Sequence, residues 1–256
     1  MNRLPPSAAT LHAFGVANPT PLTGGAGTSW RAGGLVLKPV GAVLEPLEWL
    51  ELLPATHTVR TARPVRSADG RIAVDGWSAT PFLVGSPMKH AWEQITVAGR
   101  ALSNEFAGIP APEWISQRDD PWAVADRVSW GEEPLPAATP DWLRALADRR
   151  SSISRPPVLI HGDLTGNTLF QPGLPPAVID FSPYFRPMEY TAAIIAVDAV
   201  CFEGAPRGVR ELVRGTDAEQ ILLRAIMFRA ITDVILGAVP PERTYSPAVA
   251  LLPERR

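Results

Sequence analysis

The 256 residues hold one cysteine, Cys201. A single thiol excludes an intramolecular disulfide and any zinc site built on cysteines. Lysine is nearly absent, with only Lys38 and Lys89 beside 22 arginines. Neither sign of charge is in excess. A formal net charge of −2 gives no whole-protein field to draw nucleic acid or an anionic membrane. The most apolar run, Ile221 to Val239, is interrupted by Arg224, Arg229 and Asp233, too many charges for a membrane span. Met1 to Pro21 lack the basic start and unbroken apolar stretch of a signal peptide. Heptads, repeats and low-complexity tracts are missing too. The expectation is a soluble cytoplasmic protein that binds neither nucleic acid nor membrane. Its oligomeric state is left open.

What is present is a folded composition. Hydrophobic residues make up 46%, and 28 prolines with 20 glycines fall short of a disordered mixture. The first third reads as β-rich. Leu35 to Leu37 are strand-like after a Gly33-Gly34 hairpin turn, Glu45 to Leu53 form a short helix, and a second hairpin is expected around Asp69-Gly70 between Ala62–Arg66 and Arg71–Ala79. "GSPM" at Gly85 to Met88 is a linker. Helices are expected over His90–Phe106, Pro121–Trp130, Pro140–Arg150, Pro187–Phe202 and Asp217–Leu236, with Asp120 and Thr139 as N-caps before prolines. Asp119-Asp120 caps a helix or lends acid to a substrate pocket. The fold class is α+β. An N-terminal lobe, 1–84, is β-rich, and a C-terminal lobe, 85–256, is mainly helical with a small β insert.

That insert carries the chemistry. "VLIHGDLTGNTLFQPGLPPAVIDF", Val158 to Phe181, is strand, loop, strand, turn, strand, and places His161, Asp163, Asn167 and Asp180 between apolar runs. Asp180 follows Asp163 by 17 residues, and a hairpin brings both to one edge. One Asn and two Asp oxygens suit a hard cation such as Mg²⁺ with positions left for phosphate oxygens. Phosphoryl transfer needs such a set: one carboxylate to orient a hydroxyl, and an Asn and an Asp to hold the metal. His161 reads as a packing residue that holds the loop.

"HGDL", the Asn that follows and "VIDF" resemble the aminoglycoside phosphotransferase and choline kinase group, whose fold is protein-kinase-like. "RPVRSADGR", "DPWAVADRVSWGE" and "PPAVIDFSPYFRP" are similar to an actinobacterial subfamily of that group. The resemblance spans nearly the whole chain. It implies a bilobal kinase-like fold and an ATP- or GTP-dependent, Mg²⁺-dependent phosphotransferase acting on a small-molecule hydroxyl. Asp163 would be the catalytic base, with Asn167 and Asp180 as metal ligands. Lys38 would contact the α- and β-phosphates, paired with Glu48 or Glu45. Gly24, Gly25 and Gly27 would form a turn over the phosphates, and Pro81 to Val84 the adenine hinge. Lysine is so scarce here that its retention in an apolar strand is itself a sign of function.

Two features depart from the pattern. Three residues, not four, separate Asp163 from Asn167, and Ser182 follows Asp180-Phe181 where many kinases have Gly. Gly166 can supply the positive φ that a shortened loop needs. A nucleotide-binding pseudokinase with a regulatory or scaffold role is the alternative. A protein kinase ranks last, because "SPYFRPMEY" leaves little room for a peptide-docking loop.

Overall fold

The computed structural model describes residues 4–23 and 27–253. The chain forms two compact units. The first takes in the N-terminal residues to Ser86 together with Leu169–Asp180; the second holds Pro87–Thr168 and the chain from Phe181 onward. Gly24 and Gly25 lie outside the described residues.

The first unit opens with helix α1 (Ala8–Ala13), whose N-cap Ser7 accepts from the Thr10 backbone N–H. Strands β1 (Thr20–Pro21), β2 (Trp30–Ala32) and β3 (Leu35–Pro39) precede helix α2 (Glu45–Leu52); β4 (Arg60–Thr61), β5 (Ala73–Val74), β6 (Trp77–Pro81) and β7 (Ser86–Pro87) follow it. One antiparallel sheet has the order β1-β2-β3-β6-β5. Alternation along β3 buries Leu37 with Leu11, Phe14, Ala32, Val74 and Ala79, and turns its neighbour Lys38 to the other face. The β2–β3 turn is Gly33-Gly34, with Ala32 opposite Leu35 and Gly33 at φ +57°.

The second hairpin is not where the sequence expectation put it. Its turn is Asp75-Gly76, both at positive φ, with Val74 opposite Trp77. That is the backbone a tight two-residue hairpin requires, and Asp-Gly adopts it readily. Asp69-Gly70 instead closes a small loop in which the Ser67 and Arg71 backbones bond at 2.9 Å. Pro64 lacks the N–H that a ladder through Ala62–Arg66 would use, and only a single bridge, Val65 to Ala79, forms there.

The second unit starts with α3 (Trp92–Glu105), α4 (Trp114–Gln117), α5 (Pro121–Trp130) and α6 (Asp141–Ala147). Asp120 caps α5 by accepting from Ala123 N–H. Thr139 does not cap α6; its hydroxyl donates to the Pro136 carbonyl, and the helix begins after Pro140. Next come β8 (Val158–His161), β9 (Thr168–Phe170), β10 (Ala177–Val178) and β11 (Pro183–Arg186), then α7 (Glu189–Phe202), a 3-10 turn (Arg207–Leu212), α8 (Ala218–Ile235) and α9 (Glu242–Val249). β8 and β11 pair antiparallel. β9 and β10 belong to a second sheet, in the order β4-β10-β9-β7, with β10 parallel to β4. The strands after the motif loop thus pack with the N-terminal segment, not with the helices around them in sequence.

Helices α7 and α8 are the centre of the helical core and are apolar nearly all round, as buried helices are. Among the described residues no helix is long and apolar enough to cross a membrane.

Candidate active site

The loop after β8 is fixed from three sides. His161 is buried, and its Nδ1 accepts the Asp163 backbone N–H at 3.0 Å. A backbone N–H can only donate, so Nδ1 carries a lone pair there. The imidazole meets Phe181 edge-on, and the His161 carbonyl accepts from Thr191 Oγ1 at 3.1 Å. His161 therefore holds the loop, as expected. Leu164, the next anchor, is buried against α3. A Cβ on Gly99 would lie 2.5 Å from Leu164 Cδ1, so the helix is glycine where the loop seats.

Gly162 has the same kind of reason. A Cβ there would lie 2.4 Å from the Tyr184 ring on β11. Gly162→Ala should therefore destabilise the protein by about 1–3 kcal/mol, the usual cost of overpacking. Denaturant unfolding measures this, and an unchanged midpoint would contradict the packing argument.

The shortened loop turns at Gly166, φ +79°. Asn167 then faces back on Asp163. Its Nδ2 donates to the Asp163 carbonyl at 2.8 Å and to Asp163 Oδ2 at 3.1 Å. Among the described residues none donates to Asn167 Oδ1, which leaves that oxygen for a hard cation. The other carboxylate oxygen, Asp163 Oδ1, accepts from Arg229 Nη2 at 2.9 Å.

In the first unit, Lys38 on β3 and Asp180 after β10 form an ion pair. Asp180 sits at φ +52°, a left-handed conformation that costs a non-glycine residue about 1 kcal/mol or more. Burial pulls the Lys38 ammonium down to about 8. Among the described residues no ion pair joins Lys38 to Glu48 or Glu45. Both are exposed on α2, where Glu51 instead pairs with Arg66 at 2.7 Å. Gly27 is at φ +59°. The Val84 carbonyl, at the expected hinge, accepts from Arg60 Nη2 at 2.9 Å.

Each donor by itself suits a divalent cation in chemistry: the Asn167 amide oxygen, in the second unit, and the Asp180 carboxylate, in the first, are both hard. Among the described residues no three His, Cys, Asp or Glu side chains converge as a metal cage. A cation held by either residue would need phosphate oxygens or waters to complete its shell.

Sequence reasoning missed the far side of the loop. Arg229 on α8 donates through Nε to Asp198 Oδ1 at 2.8 Å and through Nη2 to Asp198 Oδ2 at 2.6 Å. Burial works against this guanidinium, but Asp198 and Asp163 more than offset it and keep it charged. Burial pushes the Asp198 carboxyl up, with Arg229 opposing. Asp163, Asp198, Arg229 and Asp233 line a cavity of about 360 Å³ within the second unit, with Trp122 and Phe202 among its apolar walls. The signal was an Asp inside the apolar run of α7 and an Arg among the few charges of the largely apolar α8.

The sequence profile of the phosphotransferase enzyme family matches residues 38–213, more than half of the chain. No curated relative matches at the level of sequence. Among solved structures, the chain is similar to an aminoglycoside phosphotransferase from Alicyclobacillus acidocaldarius, at 13% identity and TM-score 0.63, covering 98% of this chain and 94% of that one. It is also similar to the choline kinase LicA from Streptococcus pneumoniae, at 13% identity, TM-score 0.55 and 92% of each chain. A third is a thermostable mutant of the aminoglycoside phosphotransferase APH(4)-Ia in a ternary complex with AMP-PNP and hygromycin B, at 16% identity, TM-score 0.56, covering 94% and 95%. At these identities the likeness establishes the α+β, protein-kinase-like fold. Together with the matched profile, it places the chain in the phosphotransferase enzyme family.

Proposed function

We propose that the protein transfers the γ-phosphoryl group of ATP (or GTP) to a hydroxyl of a small, cationic acceptor, with Mg²⁺. The observation that carries this is Asp163: a carboxylate fixed on both oxygens and lining an acidic cavity.

Asp163 orients the acceptor hydroxyl and takes its proton as the new O–P bond forms and the bond to the leaving nucleoside diphosphate breaks. Lys38 supplies a compact positive charge toward the α- and β-phosphates. Asn167 Oδ1 and Asp180 would hold Mg²⁺, which when bound neutralises charge on the phosphate oxygens. The cavity favours a cation because Asp163, Asp198, Glu203 and Asp233 bring four carboxylates to one guanidinium, Arg229. The exposed faces of Trp122 and Phe202 offer apolar contact beside them.

The depressed Lys38 gives a test by pH. If the charged ammonium grips phosphate, Mg-ATP affinity should fall as pH rises through about 8, where Lys38 loses its proton. Lys38→Arg stays charged and should flatten this dependence. Calorimetric titration at pH 7 and 9 measures both, and a wild type with equal affinity at the two pH values would remove Lys38 from the phosphate site. The sign for stability is separate. A lysine lowered in the folded state favours folding above its unfolded value, and that contribution is lost as pH falls through about 8.

The reading as a whole is tested by thermal shift with Mg-ATP, followed by a search for a phosphorylated product. A folded protein with no shift at millimolar Mg-ATP would overturn it.

A further inference from the structure

We propose that Arg229 is a positioning residue for phosphoryl transfer, aiming the Asp163 carboxylate while Asp198 fixes the guanidinium; this rests on the phosphotransfer reading above.

Arg229 stands in a turn of α8 whose neighbours Phe228, Ala230 and Ile231 are buried. A charge in such a place is costly unless its hydrogen bonds are met. Asp198, buried on α7, meets two of them in a bidentate grip at 2.6 and 2.8 Å. That grip satisfies the charge and sets the plane of the guanidinium, because both partners lie on packed helices. The third bond goes to Asp163 Oδ1 at 2.9 Å. Asp163 has no need of it for solvation, since 47% of its side chain is exposed. The consequence is geometric. With Arg229 on Oδ1 and Asn167 on Oδ2, the carboxylate cannot swing about its own axis. Each oxygen keeps a further lone pair to accept a hydroxyl proton. Arg229 carries no reacting atom; it acts on the transfer through Asp163.

A purely structural ion pair between Arg229 and Asp198 would behave differently. Its loss would lower stability and nucleotide binding together. A positioning role separates binding from rate, because misplacing a reacting group costs up to roughly 10²-fold in rate without touching the nucleotide.

The test uses the full chain as wild type, Arg229→Lys, Arg229→Gln and Asp198→Asn. Mg-ATP is the probe and water the acceptor. Phosphate release gives the rate, and calorimetry gives the dissociation constant. Arg229→Gln should release phosphate roughly 10- to 100-fold more slowly with an unchanged dissociation constant. Arg229→Lys should recover part of the loss, and Asp198→Asn should fall between the two. Wild-type rate in folded Arg229→Gln, or rate and affinity falling in parallel in Arg229→Lys, would overturn the role of Arg229 and leave the phosphotransfer reading intact. A wild type that binds Mg-ATP but transfers its phosphate neither to water nor to any hydroxyl of a metabolite extract would overturn both.

Discussion

Asp163→Asn should bind Mg-ATP as wild type does and transfer phosphate about 10²–10⁴-fold more slowly, the range that a positioned general base contributes. The substitution keeps the shape of the side chain and removes an acceptor. Asp163 accepts from Arg229 on one oxygen and from Asn167 on the other. An amide can serve only one of them. With its oxygen toward Arg229, its NH₂ faces the Asn167 NH₂, donor against donor, and the amide oxygen can accept a hydrogen bond but is too weak a base to take the hydroxyl proton. Asp163 lines the cavity rather than the Lys38–Asp180 pair, so the nucleotide grip should survive. Turnover of the variant equal to wild type would exclude Asp163 from the chemistry.

Asp180→Asn should remove most of the metal dependence of nucleotide binding. A ligand present at 100 times its dissociation constant stabilises a folded protein by about 2.7 kcal/mol, worth several degrees in a chain of this size. Loss of the carboxylate should remove most of the Mg²⁺-dependent part of that shift. Asn is chosen over Ala because Asp180 sits at φ +52°, which Asn tolerates and Ala does not. Without nucleotide the change should be modest, since Lys38 is half-buried but Asp180 is exposed, and a pair open to water on one side contributes little. Thermal shift with Mg-ATP, and with ATP plus chelator, separates the two effects. An Asp180→Asn protein that keeps the full Mg²⁺-dependent shift would place the metal elsewhere.

The motif loop was legible because its residues are costly where they stand. His161, Asp163 and Asn167 interrupt apolar strands, and Lys38 is one of two lysines in an arginine-rich chain. Chain-local signals, caps and prolines gave α5 to the residue. What depends on long-range pairing was less legible. Two Asp-Gly pairs compete for one hairpin, and the register that buries Val74 and Ala79 selects Asp75-Gly76. The small helix α1 is held by the Thr10 hydroxyl on Asp75, 65 positions away, which no local pattern foretells. Residues 169–180 follow the motif loop in sequence yet pack with the N-terminal segment, because β10 pairs with β4. Arg229 and Asp198 were visible as charges inside largely apolar helices. Their meaning was not, because only the packing of α7 on α8 joins them and brings them to Asp163.

The most direct measurement is mass spectrometry of a bacterial metabolite extract incubated with Mg-ATP and either wild-type or Asp163→Asn protein. A cationic, hydroxyl-bearing metabolite should gain one phosphoryl group with wild type and not with the variant. No new phosphoester, in an extract where wild-type protein binds Mg-ATP, or the same product at the same rate with both proteins, would contradict it.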